Sequence, residues 1–149
     1  MPRTDPHPPS LCTCFRLRKL SRLVSQRYDR ELARAGININ QFSILRRASR
    51  ESRTITALAR ELGMDRTTLS RDIKPLVTAG WVELTQGATD ARQRCISVTT
   101  AGKGVLDTAL PLWRKAQHAI EVTLGHTGVE VLHGHLDHAM QQLEGSPSE

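Results

Sequence analysis

The chain has 149 residues, enough for one domain with its own core and too few for two catalytic lobes around a cleft. Hydrophobic residues make up 38% but Phe, Trp and Tyr only 3%, so the core is expected to be aliphatic, without aromatic stacking as its main device. A formal net charge of +6 is compatible with attraction to phosphate backbones or to anionic membranes, and identifies neither.

Four prolines in the first nine residues predict an irregular arm, because proline removes a backbone donor and restricts its predecessor. From about Leu11, Leu17, Leu20, Val24, Tyr28 and Leu32 recur at helical spacing, and Arg16, Lys19, Arg22, Arg27, Arg30 and Arg34 cover much of the remaining surface. Gly36 can end this helix. Asn38 and Gln41 form a capping-box pattern for the next, with Phe42, Ile44 and Leu45 as its apolar contributors. A short helix over residues 56–62 closes at Gly63, and Asp65 can accept the exposed amides of the helix that follows. That helix is expected to turn Leu69, Ile73, Leu76 and Val77 inward, with a bend or supported irregularity at Pro75. WVEL (81–84) and RCISV (94–98) read as two strands around a polar turn, a wing. Thr99 or Thr100 can cap a long helix carrying Leu106, Leu110, Trp113, Ala116, Ile120 and Leu124 despite Pro111. A second capping box at Thr127 and Glu130 would start a last helix with Val129, Leu132, Leu136, Met140 and Leu143. The expected class is mainly α with a small antiparallel β wing, a winged helix-turn-helix between N- and C-terminal helices.

Residues 11–75 carry fifteen basic and six acidic groups, net +9, whereas residues 76–149 carry five and eight, net −3. One end is thus suited to a polyanion and the other to a different task, such as pairing with another subunit. A DNA-reading helix must dock by an apolar face and offer base-reading side chains on the other, and residues 66–74 meet both demands. Arg66, Thr67, Thr68, Ser70, Arg71 and Lys74 are the candidates there. Arg71 is the first choice for reading a base, the Thr hydroxyls and methyls can meet base edges, and the amides near Arg66 can meet a phosphate. Arg92 can enter or flank the minor groove, and Asp90 can hold the turn by pairing with an arginine.

These residues make the sequence similar to the MarR family of bacterial winged-helix transcription regulators. The resemblance rests on TITALARELGMDRTTLSRDIKPLVTAGWVEL followed by DARQRCISVTTAG, and runs from about Leu11 to Leu143. It implies a homodimer with interlocked terminal helices, each subunit presenting one winged helix to a roughly palindromic double-stranded operator. By the same resemblance residues 66–71 enter the major groove, and Asp90, Arg92 and Arg94 match a D-x-R-x-R wing signature, Arg92 in the minor groove and Arg94 as a phosphate or structural partner. The implied division is an arm at 1–10, a dimerisation helix at 11–35, a winged helix-turn-helix lobe at 36–99, C-terminal dimerisation helices at 100–144 and a flexible tail at 145–149. Repression relieved by a small aromatic or phenolic effector, held between scaffold and winged lobe, is the implied mode of action.

Three cysteines do not make a self-contained disulfide framework. LCTCFRL loosely resembles the segment around the reactive cysteine of the family's organic-peroxide sensors. Cys12 and Cys14 are therefore candidate redox sensors of a thiol-based, peroxide-responsive repressor, with packing as the plainer reading and no disulfide expected between them. Five of the six histidines lie between His118 and His138, but their spacing does not converge, so no metal or other cofactor is expected. No H-E-x-x-H, glycine-rich phosphate loop, nucleophile elbow or acid/base pair is present, which argues against an enzyme. A structural DNA-binding protein remains the contrasting non-enzymatic class. No apolar run is long enough to span a bilayer and the opening MPRTDPHPPS lacks a secretion-signal core, so a cytoplasmic protein without a membrane partner is expected.

Overall fold

The structure, a computed structural model, describes residues 11–145; the expected arm and residues 146–149 of the expected tail lie outside this range. Helix α1 spans Thr13–Leu32 and passes through a 3-10 turn, Ala33–Ala35, to Gly36. Then come α2 (Ile39–Ala48), β1 (Arg53–Thr54), α3 (Ile55–Leu62), α4 (Arg66–Thr78), β2 (Val82–Gln86), β3 (Arg94–Val98), α5 (Thr100–Leu124) and α6 (His126–Gly145).

Cap chemistry sets most boundaries. The Asn38 side chain accepts from the Gln41 amide at 2.9 Å, and the Gln41 side chain accepts from the Asn38 amide at 3.1 Å, a complete capping box. The next amide, of Ile39, donates to Asp29 Oδ1 at 2.7 Å, which fastens the start of α2 to α1. Thr54 caps α3 by accepting from Ala57. At the end of α3, Gly63 takes the left-handed conformation (φ 63°), and the Met64 amide reaches back to the Ala59 carbonyl at 2.9 Å. A β-carbon there would be strained, so glycine is the residue that lets the chain end α3 and turn into α4.

The core lies where α2, α3, α4, α5 and the sheet converge. Leu45, Leu58, Leu69, Leu76 and Ile96 are fully buried in it. Pro75 lies inside α4, where the missing donor and ring crowding cost about 3 kcal/mol. Burying Leu69, Ile73 and Leu76 returns about 1.5–3 kcal/mol per side chain, so packing outweighs the proline and the helix continues to Thr78. Three of the five aromatic residues stack: Trp113 lies 6.2 Å from Tyr28 and 5.9 Å from Phe42, joining α1, α5 and α2. Burial, then the charge of Glu121, raises the Tyr28 phenol above its ordinary pKa, so it stays protonated and donates to Gln117 Oε1.

Several expectations need correction. The sheet has three strands in the order β1–β3–β2, all antiparallel, because Arg53 and Thr54 pair with Ile96 and Cys95. A two-residue strand carries no periodicity to read. Val77 is 39% exposed rather than inward, since Leu69, Ile73 and Leu76 already fill the packed stripe. Helix α6 starts at His126, so Thr127 and Glu130 lie within it and form no capping box; the Val129 amide bonds to the Gly125 carbonyl, and Glu130 meets His126 at 3.3 Å. Gly145, placed in the tail by sequence, ends α6.

Candidate nucleic-acid interface

Helices α3 and α4 meet across Gly63–Asp65, and Asp65 organises the start of α4. Its Oδ1 accepts the Thr68 amide at 2.8 Å and its Oδ2 accepts the Thr68 hydroxyl at 2.7 Å. The hydroxyl bond first, and the amide bond after it, hold this carboxyl below its ordinary pKa. Thr68 is consequently a capping partner whose hydroxyl proton is already engaged, while Arg66, Thr67, Ser70, Arg71 and Lys74 are exposed.

The exposed surface of α4 divides in two. Arg66, Ser70 and Lys74, one turn apart, line a cleft of about 450 Å³ whose other wall includes Leu84 and Arg94 of the wing. Thr67 and Arg71, rotated by one residue, lie outside that cleft. A neighbouring hollow of about 380 Å³ is lined by Leu84, Thr85, Gln86, Ala91, Arg92 and Arg94. Arg94 belongs to both, so the helix cations and the wing cations form one continuous surface.

The wing turn is closed by its main chain. Gly87 donates to the Gln93 carbonyl at 2.7 Å, and a β-carbon on Gly87 would come within 2.8 Å of the Asp90 carbonyl. Asp90 holds the turn as expected but by a different bond, accepting the Arg92 backbone amide at 2.9 Å. The wing is anchored to α5 through Thr99. Its amide donates to Trp81, its hydroxyl donates to the Gly80 carbonyl at 2.6 Å and accepts from Gly102 at 3.1 Å.

Sequence reasoning missed a cleft of about 280 Å³ between α2 and α5, lined by Phe42, Ser43, Arg46, Arg47, Leu110 and Trp113. Its halves are more than sixty residues apart; adjacent Arg46 and Arg47 were the one local hint. A second groove, of about 330 Å³, runs between α1, α5 and α6 and is apolar except for Ser21, Tyr28, Gln117 and His133. Cys12 and Cys14 are exposed at the start of α1, whereas Cys95 is half-buried in β3. Among the described residues no group of three or more His, Cys, Asp or Glu side chains is gathered to hold a metal ion, and no helix is long and apolar enough to cross a membrane.

A sequence profile of the MarR family matches residues 35–93, the span from the end of the 3-10 turn after α1 to the wing turn. The M. tuberculosis transcriptional regulator MosR, solved in complex with DNA, is 34% identical over 89% of this chain and 98% of its own, with a TM-score of 0.76. The chain belongs to the MarR family. Two more distant members of the same fold group are the S. aureus MepR–DNA complex (18% identity, 89% and 99% covered, TM-score 0.75) and reduced AbfR bound to DNA (24% identity, 87% and 90% covered, TM-score 0.70). A comparison with curated protein sequences finds no match. Membership makes this chain a DNA-binding transcription regulator of winged-helix fold and not an enzyme.

Proposed function

We propose that this MarR-family protein is a homodimeric, sequence-specific repressor that occupies a double-stranded operator and leaves it in response to a small aromatic or phenolic molecule or an oxidant. The observation that carries the reading is the shared cleft joining Arg66, Ser70 and Lys74 of α4 to Arg94 of the wing. A helix with exposed Thr67 and Arg71, flanked by such a cationic wing, suits base reading in the major groove with phosphate and minor-groove contacts beside it. The DNA complex of MosR supports the same use of the lobe.

The homodimer is supported by apolar surface that one chain leaves in water. Val122, Leu124, Val131, Met140 and Leu143 are exposed on α5 and α6, and Leu17 and Leu23 on α1. Such a surface marks an interaction site. On this reading residues 11–35 and 100–144 form the dimer scaffold and 36–99 the DNA-binding lobe. The cleft between α2 and α5, with aromatic and cationic walls, is where an effector can act on both parts.

Genomic mapping of occupied sites, with and without aromatic acids or oxidants, tests this reading. Discrete sites that empty on exposure support it; uniform coverage of the genome would mark a structural DNA-binding protein instead. The peroxide-responsive variant of the reading rests on the exposure of Cys12 and Cys14. For it, peroxide should release the wild type and spare the doubly substituted Cys12→Ser, Cys14→Ser protein, and unchanged release in that variant rejects these thiols as the sensor.

A further inference from the structure

Helix α1 and the 3-10 turn after it carry a charge pattern that the packing of the chain does not use. Arg18, Lys19, Arg22, Arg30 and Arg34 are all exposed, and from Lys19 they follow one another through Gln26 at three- and four-residue spacing along one side. That side lies opposite Leu20, Val24 and Tyr28, which line the apolar groove with α5 and α6. At 1.5 Å per residue, Lys19 to Arg34 make a track about 22 Å long.

The carboxylates of α1 do not neutralise it. Asp29 accepts the Ile39 amide at 2.7 Å, Glu31 meets Lys115 at 2.9 Å, and the first turn has no acidic residue. Among the described residues none of the five cations is in an ion pair. Like charges one turn apart repel, and cations near a helix N-terminus oppose the helix dipole. The track therefore costs the isolated chain stability, and no ion pair among the described residues offsets it.

Its place in the fold sets it apart from the basic surface of α4 and the wing. Helix α1 packs chiefly on α5 and the start of α2, whereas α4 packs on α2, α3 and β2. A second copy covering the apolar groove leaves the track open, because the track is on the other side of the helix, and like-charged tracks would repel across a two-fold axis.

Four of the five cations are guanidiniums, which suit a row of phosphates better than scattered carboxylates. A lipid surface is the poorer fit, since a helix lying on a membrane buries its apolar face there, and that face of α1 is turned to α5 and α6. A DNA-binding regulator is held beside duplex by its own lobe, so weak contact with a few more phosphates becomes effective through the high local concentration of the remaining DNA.

We propose that the basic side of α1 is a second, sequence-independent DNA-binding surface, which takes the phosphate backbone of a duplex segment other than the one held by α4 and the wing. One protein–DNA complex thereby holds two segments together. This goes beyond the regulator reading above and needs no effector.

The test saturates the full chain with a short duplex that it selects from a random-sequence pool, then adds an immobilised duplex of unrelated sequence. The wild type should carry the first duplex onto the second, with a log–log salt slope of about −4.5, from roughly −0.9 for each of five phosphates. Lys19→Gln, Arg22→Gln and Arg30→Gln together should reduce the slope by about 2.7 and capture on the order of tenfold, with affinity for the selected duplex kept within about twofold. That retained affinity also reports an intact fold. Lys19→Arg, Arg22→Lys and Arg30→Lys together, which preserve every charge, should keep capture. Undiminished capture by the triple Gln protein would overturn the second surface. So would an equal loss of affinity for the selected duplex at unchanged helicity, which would put α1 on the same segment. Capture on phosphatidylglycerol vesicles but not on duplex would assign the track to lipid and overturn it as well.

Discussion

At Gly102 there is no room for even one methyl group. A β-carbon would lie 2.0 Å from the Trp81 carbonyl oxygen and 2.7 Å from Val98 Cγ1, because the first turn of α5 is pressed against the wing's base by the Thr99 bonds. Gly102→Ala should therefore destabilise the protein by about 3 kcal/mol, read as a lower urea midpoint; an unchanged midpoint would mean that the junction yields freely. Asp65 sets a pH dependence of opposite origin. Its folded carboxyl titrates below its ordinary value, so its contribution is complete above the unfolded pKa and disappears as pH falls through the folded one. Asn caps equally well without charge, so the stability advantage of wild type over Asp65→Asn should be present at pH 7 and shrink in acid; a constant difference would contradict the role given to the charge.

Helix α6 makes the strongest demand for a partner among the elements. It contributes only Val129 to the buried residues and leaves Val131 and Leu143, the latter 77% exposed, in water. Substituting Val131→Glu and Leu143→Glu together should leave the single chain folded but convert a dimer to a monomer in sedimentation, with DNA affinity falling in parallel. A dimer of unchanged strength would remove α6 from the interface. Elements defined by local chemistry were legible in the sequence: the Asn38–Gln41 box, Gly63, the Asp65 cap and the Thr99 cap all act as their residue types suggest. Thr127 and Glu130 show where this fails, because the same residue types sit inside α6 once Gly125 supplies the turn. Strand β1 and the α2/α5 cleft were not legible, since each exists only through residues distant in the chain. The aromatic stack was missed for the same reason, its members being Tyr28, Phe42 and Trp113.

In the whole molecule, the split of charge seen in the sequence becomes a division of surfaces. The basic candidates of α4 meet those of the wing around shared Arg94, and the apolar groove runs between α1, α5 and α6. On the proposed function this basic surface reads sequence, not only charge. The direct measurement is the affinity of wild type, Arg71→Ala and Arg92→Ala for a selected duplex and for a scrambled one of equal length, across a series of salt concentrations. The wild type should prefer the selected duplex by a factor of about 10³ or more and retain that preference as salt rises. Arg71→Ala should shrink the preference by about 1–3 kcal/mol, whereas Arg92→Ala should weaken both duplexes and reduce the salt slope by about one. Equal binding of the two duplexes at every salt concentration, or an undiminished preference in Arg71→Ala, would contradict sequence reading by α4.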